Sequence, residues 1–547
     1  MGVTGVRTCS SWKVNRDAVA MSVPTNLPWT ANGFPIYGRA SSAELLPHPE
    51  PYVRSSTTWL LVRNFSHLVV GQVATTALGI FLSALLGRAL EPAQFGILYT
   101  ALAILSFVYV IADWGQTTYL VREIARGRSD EPELIGTALL FRLTAMVFCS
   151  VIAVVIALAM GHNDQIIPLT LLAVMAWVPL TLYVPLASSF RARNRMDIDV
   201  FAGIVGKATT LVATAVALRL GGGLTEVILM QGVGNLSILL VGTIAARRLD
   251  FTVEAPAMNT IRELLRHGTP IAAFSLVIAS QPFVEILMLS MFAAPAVVGW
   301  YAASRTIFGV VISPASIVVG GAFPEFSRAA HSLPDLRRMI DATGRVMFIA
   351  AAFASSGLYL FSDPMVAIIY GHGRFEETAS ILRVSAIFIP LLFFGFLLAM
   401  VMLAVGRNKA MAIISIGRIA LCAFLSWLLV GYWQQRSGNG AIALVIIVGM
   451  AQIPDLVACL TLLPKGAVSS TTTLNLARAY IASFCTVAPL SMLQPLGLLY
   501  LIPLFALLFA VTAIVTRLVL PSDLRLAIEV VRSRVFAVRA TKSAPNG

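Results

Sequence analysis

The chain has 547 residues, of which 58% are hydrophobic and only 12% charged, with a mean hydropathy of +0.85; that balance excludes an ordinary soluble globular protein and marks a polytopic membrane protein. Its net charge of +13 comes from basic residues set between apolar runs, not from a stripe or an aromatic-interleaved patch, which excludes nucleic acid as a partner. The five cysteines include no CxxC pair and the six histidines are scattered, so no disulfide framework, metal site or cofactor is expected.

Residues 1 to about 55 are rich in Pro, Ser, Asn and Ala and contain no apolar stretch of signal-peptide length. They read as a disordered cytosolic tail, with Met21 an alternative start. About fourteen apolar runs follow, near 66–87, 94–114, 136–160, 166–189, 199–219, 224–246, 269–292, 296–322, 345–370, 379–404, 410–432, 441–463, 475–494 and 497–519. Each approaches the roughly 20 residues that a membrane helix needs. The expected fold is all-α, with about fourteen transmembrane helices.

Alternate connections differ sharply in charge. One set carries Arg122, Arg126, Arg128, Arg191, Arg193, Arg195, Arg247, Arg248, Arg262, Arg266, Arg328, Arg337, Arg338, Arg407, Lys409, Lys465 and Arg478; the other carries only Arg88, Arg219, Arg374 and Arg436. By the positive-inside rule the first set is cytosolic, and so are both termini. The C-terminal stretch 521–547 places Arg525, Arg532 and Arg539 seven apart, as a basic amphipathic helix lying on an anionic membrane surface would.

The two halves echo one another. "PAQFG" (92–96) matches "PAVVG" (295–299), "RNRM" (193–196) matches "RNKAM" (407–411), and "IVGKA" (204–208) matches "SIGRI" (415–419), at offsets of roughly 203, 214 and 211 residues. Six helices per repeat is even, so the copies are parallel and related by an axis along the membrane normal. The expected domains are an N-terminal six-helix lobe over 56–250, a C-terminal one over 251–466, two further helices over 467–520, and the basic tail.

The repeat aligns Lys207 with Arg418, each seven or eight residues into its helix. Cations in hydrocarbon cost at least about 2.5 to 3.5 kcal/mol unless they reach water, a counter-charge or a ligand. Two readings fit: each side chain snorkels to the headgroups, or both face a di-anionic group entering from the cytosol, which their matched positions favour. Glu285 and Arg305 lie at similar depth in the hairpin of runs seven and eight, where the first half has no charge. They form either a structural ion pair or a deeper substrate contact (Arg305) with a proton- or cation-coupling site (Glu285). Arg142 in run three either lines the same cavity or snorkels, and Asp113 is expected to pair with Arg122. Weaker motifs are "MDID" (196–199), whose D-x-D spacing stands without a nucleotide-binding domain, the sequon at Asn64, which topology puts inside, and "GGG" (221–223), a turn.

The stretches "LLGRALEPAQFGILYTA" (85–101), "ADWGQTTYLVREIAR" (112–126), "HGTPIAAFSLV" (267–277), "PAVVGWYAASR" (295–305), "FPEFSR" (323–328) and "IIYGHGRFEETASILRVSAI" (368–387) resemble those of the polysaccharide biosynthesis proteins. These are lipid-linked oligosaccharide flippases of the multidrug, oligosaccharidyl-lipid and polysaccharide exporter superfamily. The resemblance implies two six-helix lobes plus two helices around a central cavity, alternating access, and cationic substrate-binding residues, which fits Lys207, Arg418, Arg305 and Arg142. Run one lacks the acidic residue frequent in the superfamily's drug exporters.

The function expected is flipping of an undecaprenyl-diphosphate-linked oligosaccharide across a bacterial inner membrane for surface polysaccharide synthesis. Membrane lipids, and a polymerase with its chain-length machinery, are the expected partners. A cation-coupled small-molecule exporter is the first rival. A membrane polymerase or ligase is the second, and the short outer connections speak against it; only "GHGRFEET" (371–378), with His372, Arg374, Glu376 and Glu377, has groups for chemistry there.

Overall fold

The computed structural model describes residues 52–128, 130–159, 165–493 and 497–519, all of whose regular elements are helices. The expected N-terminal tail up to residue 51, Cys9 and the basic C-terminal stretch lie outside the described residues. Contacts divide the chain into Met1–Thr58, of which only the first turns of one helix are described, and a compact unit over Trp59–Gly547.

The first hairpin joins α1 (Tyr52–Ala89) to α2 (Pro92–Asp113). Pro92 opens α2, where a missing N–H leaves nothing unbonded. Trp114 (φ 45°) and Gly115 (φ 74°) then turn the chain through the left-handed region into α3 (Gln116–Ala125). At about 1.5 Å per residue α3 is too short to cross a bilayer. Next come α4 (Glu131–Ala159), α5 (Ile166–Ala192), α6 (Met196–Arg219) and α7 (Leu224–Arg248).

The second half opens with α8 (Met258–Phe292) and α9 (Pro295–Ala329), then α10 (Leu333–Leu360) and the short α11 (Ser362–Tyr370). After these come α12 (Glu376–Ile387), α13 (Ile389–Ala404), α14 (Asn408–Ser437), α15 (Gly440–Met450) and α16 (Gln452–Leu462). The last hairpin is α17 (Ser470–Ser491) with α18 (Leu498–Val515).

Eleven described spans are long and apolar enough to cross a membrane, and two bent pairs raise the number to 13. The remaining run of the fourteen expected is α17. It is helical as expected, but Ser470, Thr471, Thr472, Thr473, Asn475 and Arg478 make its first turns too polar to pass the same test. Those polar groups dock it instead, since Asp341 of α10 accepts from the hydroxyls of Ser469 and Thr472.

Prolines set the bends. Pro282 removes the donor that would satisfy the Ile278 carbonyl, and α8 turns by 43° between Val277 and Ala279. Pro390 does the same to Ala386 at the 52° turn between α12 and α13, and there the Ser355 hydroxyl donates to the freed carbonyl at 2.8 Å. Pro454, three residues into α16, accounts for the break at Ala451 that separates α15 from α16.

The repeated PAxxG segments meet. A Cβ on Gly96 would lie 1.9 Å from the Pro295 carbonyl oxygen, and one on Gly299 would lie 2.0 Å from the Pro92 carbonyl oxygen. The first turns of α2 and α9 therefore interlock reciprocally, glycine against the opposite proline. Only glycine permits backbones this close. Around this contact Arg88 donates to the Ile368 and Ile369 carbonyls. Nearby, Ser83 and Tyr370 hydroxyls are 2.9 Å apart, and the rings of Phe95, Tyr370 and Phe375 pack on one another. This end of the bundle, which the charge pattern assigns to the outer face, is closed.

The main apolar core runs from Leu86 and Phe95 through Phe308 and Phe348 to Leu397. Large apolar side chains such as Phe148, Met175, Phe424, Trp427 and Leu507 face outward, as a bilayer-facing surface requires.

Candidate functional site

Glu285 on α8 is 2% exposed, and both of its carboxylate oxygens are bonded. Gln281 Nε2, one turn earlier, donates to Oε1 at 3.0 Å, and the Tyr301 hydroxyl of α9 donates to Oε2 at 2.6 Å. Arg305, one turn beyond Tyr301, places an Nη2 3.6 Å from the same oxygen, with 37% of its side chain exposed. The expected pairing of Glu285 with Arg305 is present as a contact, while the closer grip on the carboxylate comes from Tyr301 and Gln281, which the sequence did not single out.

Arg418 has a counter-charge that sequence reading missed. Its Nε lies 3.2 Å from Oδ2 of Asp455, whose side chain is 10% exposed. The contact is an ion pair without an aligned hydrogen bond, and both Arg418 Nε and Asp455 Oδ1 are buried with no hydrogen-bond partner. Run twelve held the signal, because Asp455 is an acid inside a long apolar stretch. An intramembrane carboxylate calls for a cation, and α14 and α16 pack side by side.

Three of these four charges, Arg305, Arg418 and Asp455, line one cavity of about 400 Å³ within the C-terminal half, between α8, α9 and α12 to α16, and Glu285 is held against it through Gln281, Tyr301 and Arg305. Gln281, Tyr301, Ser385, Ser415 and Gln452 add polar groups to its wall; the rest is apolar, including Phe308, Phe396 and Met411. An apolar enclosure with a few convergent polar groups is the usual form of a small-molecule site.

Lys207 is not on this cavity. It is exposed on α6, which packs on α5 and α7, and among the described residues it makes no hydrogen bond or ion pair. Arg142 is not on it either. It is 1% exposed on α4 and donates to Asp113 and, at 2.9 Å, to Thr117 Oγ1. Neither option expected for Arg142 describes this placement. The buried guanidinium is neutralised by Asp113 at the end of α2, which leaves it neither cavity-lining nor snorkelling. Asp113 thus pairs with Arg142, not with Arg122, whose partner is Glu123 at 3.0 Å.

The weaker motifs have structural partners. Asp199 accepts from Tyr183 at 2.9 Å and Arg191 at 2.7 Å, and Asp197 pairs with Arg195 at 3.1 Å. In the 371–378 turn Glu377 accepts from Asn439 at 2.9 Å, and the Arg374 carbonyl accepts from Trp300 at 3.0 Å. Among the described residues no group of three His, Cys, Asp or Glu side chains is placed to hold a metal.

The connection after α3 and the start of α8 form a separate ionic clamp. Arg128 donates to Asp130 Oδ2 at 2.7 Å and to Glu263 Oε2 on α8 at 2.9 Å. Its hydrogen bonds hold the Asp130 carboxyl below the usual carboxylate range.

The sequence model of the polysaccharide biosynthesis protein family matches residues 61–330. No curated protein matches in sequence. Among solved structures the fold is similar to the lipid II flippase MurJ in an inward closed conformation, with a TM-score of 0.65 and 12% identity over 81% of this chain and 98% of that one. It is similar to an inward-facing multidrug resistance MATE family transporter, with a TM-score of 0.60 and 14% identity over 74% of this chain and 95% of that one. A MOP superfamily transporter from Pyrococcus furiosus gives 0.52 and 15%, over 77% of this chain and 96% of that one. The solved proteins that share this fold are a flippase and transporters. The stretch that matches the polysaccharide biosynthesis protein family, residues 61–330, runs from within α1 to the end of α9.

Proposed function

We propose that the chain flips an undecaprenyl-diphosphate-linked oligosaccharide from the cytosolic to the periplasmic leaflet of a bacterial inner membrane, for surface polysaccharide synthesis, and works beside a polymerase with its chain-length machinery. The observation that carries the proposal is the pair of guanidiniums, Arg305 and Arg418, on one largely apolar cavity. Each meets its carboxylate through a single contact, at 3.6 and 3.2 Å, which leaves other N–H groups of each fork for phosphate oxygens. Lys207, exposed and unpartnered on α6, adds a third cation for the same anion as it approaches between the halves.

The headgroup must not meet hydrocarbon, so it travels in the polar interior while the prenyl chain stays in lipid. Two negative charges moving outward gain about 4.6 kcal/mol per 100 mV of inside-negative potential, at about 2.3 per charge. Glu285 serves first as the counter-charge of Arg305. A coupling cation at Glu285 must displace the bonds from Tyr301 and Gln281 before it binds.

Deleting the gene in a polysaccharide-producing host tests the proposal. The expected result is loss of surface polymer with lipid-linked precursor accumulating on the cytosolic side, both restored by the wild-type chain. Normal polymer in the deletion strain overturns it. A second reading, a cation-coupled exporter of small molecules, is favoured by one observation: each arginine on the cavity is paired with a carboxylate, Arg305 with Glu285 behind the wall and Arg418 with Asp455, so the site carries no formal net charge. Uptake of a soluble cationic drug into proteoliposomes, driven by a proton or sodium gradient, distinguishes that reading.

A further inference from the structure

The two buried carboxylates, Asp455 on the cavity and Glu285 behind its wall, are held very differently. Glu285 has a hydrogen bond on each oxygen, from Gln281 and Tyr301, before Arg305 is considered. If Arg305 turned away, Glu285 would still be solvated by two donors. Asp455 has Arg418 alone. Its Oδ1 is buried without a partner, its side chain is nine-tenths buried, and the contact at Oδ2 is not an aligned hydrogen bond. The groups around Asp455 offer no substitute charge. Packed against α16, α13 (389–404) and α15 (440–450) contain no ionisable residue, α14 presents Arg418 and Cys422, and α16 itself adds only Cys459. Across the cavity stands Arg305, already paired with Glu285.

We infer that Asp455 is a proton-binding site linked to the substrate: when an anionic diphosphate takes Arg418, Asp455 loses its only cation and takes up a proton from water on its orphan oxygen. The inference rests on the diphosphate reading proposed above. A buried carboxylate without partner or hydrogen bonds is unfavourable as an anion, and protonation is its cheapest neutralisation. A metal cation fits less well, because hard cations require several oxygen ligands and this oxygen has no neighbouring acidic group besides those named. When the diphosphate leaves on the far side, Arg418 returns to Asp455 and the proton is released there. One proton then accompanies each substrate, and the net charge carried outward falls from two negatives to one. Linkage is reciprocal, so anything that favours the proton also favours the anion.

The test uses the full-length purified protein in detergent and a short prenyl diphosphate, farnesyl diphosphate, as the probe. Isothermal calorimetry in two buffers of different ionisation heat measures protons taken up per ligand bound, at several pH values. Wild type is expected to take up about one proton per ligand, and its affinity to fall about tenfold per pH unit over the range where uptake is seen. Asp455→Asn is expected to bind without proton uptake and without that pH dependence, whereas Glu285→Gln still takes up the proton. Should Asp455→Asn fold poorly because Arg418 is left alone, the neutral double variant Arg418→Gln, Asp455→Asn replaces it, with weaker binding and no proton uptake expected. Retained uptake in either Asp455 variant, or wild-type binding with no proton exchange, overturns this inference and leaves the flippase reading standing. Failure of the wild type to bind any prenyl diphosphate overturns both.

Discussion

The reciprocal contact of α2 and α9 gives the sharpest structural prediction. An alanine at Gly96 puts its Cβ 1.9 Å from the Pro295 carbonyl oxygen, and one at Gly299 puts it 2.0 Å from that of Pro92, where ordinary Cβ contacts begin at 3.4 Å. The opposing atom is backbone in both cases, so no rotamer change relieves the overlap and the two first turns must part by about 1.5 Å, a displacement that close-packed helices resist. Overpacking of this kind costs about 1 to 3 kcal/mol. If alternating access opens this end, the whole cost falls on the closed state and the closed-to-open ratio drops by about 5- to 150-fold. Thr100 reports the change, because it is 2% exposed one turn below Gly96. With native cysteines replaced and Thr100→Cys introduced, a membrane-impermeant maleimide added from the outer side should label Gly96→Ala and Gly299→Ala proteins faster than the parent. Equal labelling rates in well-folded variants would refute the claim that this contact closes the outer end.

Glu285 and Arg305 should be coupled, by an amount on the order of 1 kcal/mol because Arg305 is partly exposed, and unequally. Arg305→Gln leaves the carboxylate with Tyr301 and Gln281 and should lower folded yield less than Glu285→Ala, with the double variant recovering part of the loss in a detergent thermal-stability assay. Lys207→Glu should insert and fold normally yet abolish flipping, read as cytosolic precursor accumulation, since no counter-charge depends on it; full transport would return Lys207 to the snorkelling reading. Arg128→Gln should release α3 and the α4 start from α8, seen as faster hydrogen exchange over 252–260, at about 1 kcal/mol after allowance for exposure. Because Asp130 is held below the usual carboxylate range, its share of the clamp is present above the unfolded-state value and is lost as pH falls through the folded one, so protection over the same stretch, corrected for the intrinsic exchange rate, should fall on acidification in wild type and less so in Arg128→Gln.

Much of the scaffold is legible in the sequence because bilayer length and hydropathy constrain each helix separately. Fourteen apolar runs become helices, and prolines at 282, 390 and 454 mark where they bend or break. The repeat "PAQFG" and "PAVVG" is legible as a repeat, but its mutual contact is a property of three dimensions. Partner identity is harder still. Arg418 and Asp455 are 37 residues apart on different helices, and Arg142 finds Asp113 rather than sitting free as hydropathy alone suggests. Each buried charge announces that a counter-charge exists; only packing says which.

Flipping by this chain alone is read in proteoliposomes that contain only the full-length chain and a fluorescent undecaprenyl-diphosphate oligosaccharide, with an impermeant reagent quenching the outer leaflet. The wild-type chain is expected to move inner-leaflet substrate outward faster than empty vesicles, faster still with an inside-negative potential, and Lys207→Gln with Arg418→Gln is expected to abolish the movement. Wild-type rates indistinguishable from empty vesicles, or unimpaired movement in the double variant, would contradict the flippase reading.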